Sequence, residues 1–332
     1  MAKTRVALNG FGRIGRLATR RILERDDLEL VVINDLADPK GLAYLFERDS
    51  VHGKYPGDVT YADGQLNVDG ASIALTSHRD PKDCDWGDLG IDVVLEATGV
   101  FTKREMASLH LDAGAKKVLI SAPATNPDVT VCLGVNEEDY DSSSHRIVSN
   151  ASCTTNCVSP VLKPLHQAFG ITAGVLNTVH AYTMGQGLLD SPNKSFRRGR
   201  AAALNLVPTS TGAAKAVGLV IPDLAGKLDG FAIRTPNPTG SMADLTLTLS
   251  KDCTVDEAHE VLAAYADKHP NILGFSNEEL VSSDIIGDTR SSVVDSLMTI
   301  KVGSMLKLVC WYDNEAGYAT RLVDMASYIT SR

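Results

Sequence analysis

The chain has 332 residues, more than one hydrophobic core usually holds, so two domains are expected. Hydrophobic residues at 44% and charged residues at 22% set aside a disordered or fibrous class. A net charge of −9 weighs against nucleic acid as the main partner, leaving only local clusters such as Arg197, Arg198 and Arg200 for a small anion.

No signal-peptide core follows the start, and no segment nears the ~20 apolar residues of a membrane span. The six cysteines lack both a disulfide framework and paired CxxC zinc spacing, so a reducing cytoplasm and no metal are expected. In chain order, the apolar run Val6 to Leu8 predicts a strand. A glycine turn follows, and Ile14, Leu17, Ala18 and Ile22 then share one side of a predicted helix over 14–25. Apolar runs at 28–33, 91–97, 117–120, 129–135 and 146–148 suit strands of a doubly wound parallel sheet covered by helices. Beyond residue 150 the texture changes. Longer strands are predicted at 172–183, 230–236, 241–250 and 302–312, several with alternation, which implies an α+β domain with a mixed or antiparallel sheet. Residues 184–205 read as one long loop of a length that is usually functional, and 315–329 as a helix able to pack back on the first domain.

Two local patterns carry chemistry. Gly10-x-Gly12-x-x-Gly15 lies between the first strand and first helix, where backbone can approach a pyrophosphate at the helix N-terminus. Asp35, twenty residues after Gly15, ends the next strand, where its carboxylate would take ribose hydroxyls and repel a 2′-phosphate. The second pattern is Ser152-Cys153-Thr154-Thr155-Asn156-Cys157, which opens a predicted helix. A cysteine in a first turn gains thiolate character from the dipole and the free N–H groups. Composition alone leaves open whether Cys153 is a nucleophile or merely buried, while Cys157 reads as a packing residue. Among eight histidines, His180 ends an apolar run just before the long loop, a favourable position for a base.

Longer stretches resemble one family. Asn9 to Arg16, Ser149 to Cys157, Val179-His180-Ala181-Tyr182-Thr183, Pro208 to Gly218 and Trp311-Tyr312-Asp313-Asn314-Glu315 are similar to phosphorylating glyceraldehyde-3-phosphate dehydrogenases, essentially end to end. The resemblance implies a Rossmann-type NAD-binding domain over 1–151, completed by the C-terminal helix 316–332, and a catalytic domain over 152–315. It implies Cys153 as nucleophile and His180 as base. The substrate phosphate would lie on Thr183 and Arg234, and the attacking phosphate on Ser152, Thr154, Thr211 and Gly212, with Arg198 adding charge. Gly10, Phe11, Gly12, Arg13, Ile14, Gly15, Asp35, Arg79, Thr98, Gly99, Ser121 and Asn314 would hold NAD. A homotetramer is implied as well.

The likeness is interrupted locally. Met184-Gly185-Gln186 stands where the family commonly has Asn-Asp-Gln, and Ser191-Pro192 where NAD-specific members carry Leu-Pro, which leaves room for some NADP use. Pro236-Asn237-Pro238-Thr239-Gly240-Ser241 replaces the common Pro-Thr-Pro-Asn-Val-Ser. These departures raise the hypothesis of a specialised member, tuned to another oxyanion such as arsenate or to escape from an inhibitor. The rival within enzymes is an erythrose-4-phosphate dehydrogenase, which hydrolyses its thioester.

Overall fold

The computed structural model describes residues 3–332. The chain divides into two compact units: residues up to 131, 138–151 and 319–332 in one, and 132–137 with 152–318 in the other.

The first unit is built on a nine-stranded sheet. Its strands run in the order Val129–Thr130, Ile147–Ser149, Lys117–Ile120, Val93–Glu96, Thr4–Asn9, Leu28–Asn34, Ala71–Thr76, Gln65–Val68, Val59–Ala62. The first seven pair in parallel, as runs buried on both faces require; all four residues of Val93–Glu96 are buried. The last two are antiparallel additions that the apolar-run reading missed, because Val59–Ala62 is half polar and lies at the edge. The expected run 129–135 forms a strand only over Val129–Thr130; Val131 N still donates to Ser149 O at 2.9 Å, and Cys132 and Val135 are buried beyond the strand. Helix Arg13–Leu23 buries Leu17, Ala18 and Ile22 and ends on Arg20 and Arg21, which complement its dipole. From the central strand Thr4–Asn9 the sheet grows outward both ways, so a switch point lies at the carboxyl ends of Thr4–Asn9 and Val93–Glu96.

The second unit holds a mixed seven-stranded sheet, ordered Val207–Ser210, Leu228–Thr235, Ile171–Ala181, Ser241–Leu249, Met305–Tyr312, Ser292–Val302, Leu273–Ser276. Strand Ser241–Leu249 alternates strictly, burying Ser241, Ala243, Leu245, Leu247 and Leu249. Helix Cys153–Phe169 packs on this sheet. One strand was expected over 302–312; the chain instead makes a hairpin of Ser292–Val302 and Met305–Tyr312, turned at Gly303 with φ +56°. No helix or strand forms between Ala181 and Val207, in keeping with the predicted loop. Among the described residues, no helix is long and apolar enough to cross a membrane.

Candidate active site

In the second unit, helix Cys153–Phe169 begins at Cys153 because Ser152 caps it: the Ser152 side chain accepts from Thr155 N at 3.1 Å. The preceding Ala151 has φ +54°, a left-handed conformation costing a non-glycine residue about 1–2 kcal/mol, of the kind that clusters at functional turns. Cys153 thus lies in the first turn, half-buried. Its Sγ is 3.4 Å from His180 Nε2.

His180 comes from strand Ile171–Ala181, on the same buried face as Leu176 and Thr178. The parallel pairing with Leu228–Thr235 places Arg234 directly beside it. Arg234 Nη1 lies 2.8 Å from His180 Nδ1 and donates to Ala181 O at 3.0 Å. His180 Nδ1 also lies 2.7 Å from Ala181 O. Two neutral tautomers therefore compete. With the proton on Nδ1, shared with Ala181 O, Nε2 is free to take a proton at the sulfur side; with it on Nε2, the imidazole donates to a thiolate.

The charges favour a neutral ring in either case. Burial and then the Arg234 guanidinium, with Arg198 behind it, lower the His180 pKa from 6.5 to about 3. Burial pushes the Cys153 thiol up, while Arg234, the Thr154 hydroxyl and the backbone N–H groups of the helix start pull it back. Among the groups that pull the Cys153 thiol back down, the Arg234 guanidinium acts most strongly.

Other predicted residues are placed less simply. Thr154 Oγ1 bonds Tyr312 OH at 3.0 Å, and the same phenol bonds Thr178 Oγ1 at 2.8 Å. Ser152 and Thr154 hydroxyls are thus already engaged locally. Thr211 Oγ1 accepts from Ala213 N at 3.2 Å, and Gly212 starts helix Ala213–Val220 with no side-chain cap, leaving first-turn N–H groups for an anion. Arg198 Nε donates to Thr209 Oγ1 at 2.8 Å, not to Thr211. Thr183 N donates to Gln186 Oε1 at 3.3 Å, and no bond joins Thr183 to Arg234.

In the first unit, a cleft of about 390 Å³ at the switch point is lined by Gly10, Gly12, Asp35, Arg79 and Thr98, together with Asn9, Asn34 and His78. Gly10 has φ +97°, and a Cβ there would meet Thr98 N at 2.7 Å; a Cβ on Gly15 would meet Gly10 O at 2.2 Å. Helix Arg13–Leu23 has no side-chain cap at Gly12, and the Cβ direction of Gly12 is open for 4 Å, so its amides can receive a pyrophosphate. Asp35 accepts from Phe11 N at 2.7 Å and Ala37 N at 2.9 Å, which fixes the carboxylate while lone pairs remain for ribose hydroxyls. These residues fit NAD. Arg13 turns its side chain to Asp49 and has only its backbone to offer, Ile14 sits in the first turn, Gly99 turns at φ +72°, and Ser121 N donates to Glu96 O beyond this cleft. Asn314 belongs to the second unit.

A family profile described as the glyceraldehyde 3-phosphate dehydrogenase NAD binding domain matches residues 4–104, and its C-terminal domain counterpart matches 152–314. The chain is 51% identical over 330 residues to glyceraldehyde-3-phosphate dehydrogenase of Geobacillus stearothermophilus, covering 99% of this chain and 98% of that one. It is 52% identical over 324 residues to glyceraldehyde-3-phosphate dehydrogenase 1 of Streptomyces avermitilis, covering 97% of each. The chain belongs to the glyceraldehyde-3-phosphate dehydrogenase family. As a member of that family it is an NAD-dependent oxidoreductase with a Rossmann-type domain and a mixed-sheet domain.

Several buried residues were not singled out from sequence. Glu96 is fully buried and accepts from Thr98 N at 2.9 Å, Asn9 Nδ2 at 2.6 Å and His110 Nε2 at 3.1 Å. Trp86 Nε1 donates to His110 Nδ1, so the proton of His110 sits on Nε2 and points at Glu96. An acid ending the run Val93-Val94-Leu95 was the available signal. Glu96→Gln would turn an NH₂ toward these donors, and urea unfolding should then show a loss of about 2–4 kcal/mol. Unchanged stability would contradict the network.

Proposed function

We propose that the chain oxidises D-glyceraldehyde 3-phosphate, with NAD and inorganic phosphate, to 1,3-bisphosphoglycerate through a thioester on Cys153. The observation that carries this reading is the Cys153 Sγ–His180 Nε2 pair at 3.4 Å, at a helix start and beside Arg234. The Cys153 sulfur adds to the aldehyde carbon while the thiol proton passes by way of His180 Nε2 to the carbonyl oxygen, which becomes the hydroxyl of a hemithioacetal; Arg234 supports the developing thiolate charge until the C–S bond forms. Bound NAD supplies the hydride acceptor. As hydride leaves that carbon, neutral His180 takes the hydroxyl proton at Nε2, and a thioester remains. Phosphate oxygen then attacks the acyl carbon, the C–S bond breaks, and an acyl phosphate leaves the free thiolate behind. Developing negative charge on the acyl oxygen is met by the first-turn N–H groups of helix Cys153–Phe169.

Gly10, Phe11, Gly12, Arg13, Ile14 and Gly15 hold the pyrophosphate in this reading, Asp35 the adenosine ribose, and Arg79, Thr98, Gly99 and Ser121 the flanking parts, with Asn314 on the carboxamide. Asp35 favours NAD over NADP by repulsion of a 2′-phosphate. Thr183 and Arg234 take the substrate phosphate; Ser152, Thr154, Thr211 and Gly212 take the attacking phosphate, with Arg198 adding charge. The start of helix Ala213–Val220, where Gly212 brings no capping side chain and Thr211 engages only Ala213 N, supports phosphate over water as the acyl acceptor. NAD reduction with glyceraldehyde 3-phosphate, measured with and without phosphate, tests the reading: sustained turnover should require phosphate. Phosphate-independent turnover would favour the hydrolytic alternative. The departures at Gly185 and Asn237 are tested in the same assay by exchanging phosphate for arsenate. A specialised member should differ in that preference from an ordinary one.

The enzyme works in the cytoplasm as a homotetramer. Exposed apolar side chains support assembly: strand register places Val175, Phe231, Ile300, Val302 and Met305 on one face of the seven-stranded sheet, each at least 44% exposed. Ile300→Asp with Met305→Asp should reduce the sedimenting species to smaller assemblies. An unchanged sedimentation coefficient would refute this face as an interface.

A further inference from the structure

Asn314 is buried, and its amide is held from one side only. Ala181 N donates to Ser241 Oγ at 3.1 Å, and Ser241 Oγ donates to Asn314 Oδ1 at 2.7 Å. Ser241 has a single hydroxyl proton, and its oxygen already receives the Ala181 N–H, so that proton goes to the amide oxygen. Thr239 Oγ1 lies 3.5 Å from the same oxygen and donates to Asp313 Oδ1 at 2.8 Å. Asp313 in turn accepts from Glu315 N, Ala316 N and Gly287 N, which fixes the backbone on which Asn314 rides. Among the described residues, the Asn314 NH₂ donates to no group.

The turn that precedes Ser241 is one of this chain's departures, while the serine itself is shared with the common pattern. Gly240 has φ +81°, and a Cβ there would meet Ser282 O at 2.2 Å, so only glycine fits between Thr239 and Ser241. Asn237 closes the turn by donating to Gly240 O at 2.8 Å.

We propose that Ser241 is a positioning residue that locks the Asn314 amide with its NH₂ outward, so that Asn314 recognises a carbonyl oxygen on the nicotinamide end of the cofactor. The same residue, Ala181, that feeds Ser241 through its N–H receives Arg234 and lies against His180 Nδ1 through its carbonyl, which belongs to the following peptide. The two successive peptides that flank Ala181 therefore touch the base on one side and the chain of bonds to Asn314 on the other. This inference rests on the reading of Asn314 given under the proposed function.

Calorimetric titration of the full-length enzyme separates the possibilities, using NAD, its acetylpyridine analogue, which keeps the carbonyl but lacks the NH₂, and ADP-ribose, which lacks the ring. Ser241→Ala should weaken NAD and the acetylpyridine analogue about five- to tenfold, as expected for one lost hydrogen bond, and leave ADP-ribose unchanged. Ser241→Thr, which restores the hydroxyl, should recover most of that loss. Unchanged NAD affinity in Ser241→Ala, or equal weakening of ADP-ribose, would overturn the proposal. Equal binding of NAD and ADP-ribose by the wild type would instead remove the reading of Asn314, and the proposal with it.

Discussion

Cys153→Ser should lower steady-state NAD reduction by about 10⁴-fold or more, the largest effect expected of any single substitution in this chain. A serine hydroxyl ionises far above a thiol, so the support that Arg234 and the helix start give to a thiolate cannot generate an alkoxide near neutral pH. An oxygen ester would also resist phosphate attack more than a thioester does. The other five cysteines cannot substitute. Cys84, Cys132, Cys157, Cys253 and Cys310 are buried, and burial raises each of their thiols, Cys84, Cys132 and Cys310 to about 12. Retained NAD binding in the variant would show that the fold survives. Turnover within tenfold of wild type would remove Cys153 from the mechanism.

His180→Asn should come next, with a loss of about 10²–10⁴-fold located in the NADH-forming step, because that step releases the hydroxyl proton. Rapid mixing should show the burst of NADH slowed by that factor. A normal burst with slow turnover would place His180 elsewhere in the cycle. The same variant has a stability signature. The folded-state pKa of His180 lies below its ordinary 6.5, at about 3, so between these values the unfolded chain binds a proton that the folded chain refuses. Its contribution to stability is therefore present above pH 6.5 and is lost as pH falls toward 3. In urea unfolding across that window, His180→Asn should lose less stability than wild type. Equal slopes would mean that His180 is charged in the folded enzyme.

What the sequence made legible followed short-range rules. The glycine turn was readable because Gly10, Gly12 and Gly15 sit between a strand and a helix, and the start of helix Cys153–Phe169 because Ser152 is a strong N-cap. Register was not readable. Arg234 reaches His180 only because two parallel strands pair 54 residues apart, and no local pattern states that alignment. Tyr312 was hidden for the same reason: it joins Thr154 and Thr178 from the opposite end of the second unit's sequence. Glu96 was hidden by its company, since an acid closing an apolar run reads as the end of a strand rather than as a buried acceptor. The hairpin at Gly303 was lost because apolar residues continue across it on an exposed face, Ile300 and Val302 before the turn and Met305 after it.

The most direct test of the thioester is intact-protein and peptide mass spectrometry after mixing enzyme, NAD and glyceraldehyde 3-phosphate without phosphate. One acyl group per chain on Cys153, formed together with one NADH and discharged as an acyl phosphate when phosphate is added, is the expected result. Continued NADH production with no adduct on Cys153 would contradict the mechanism.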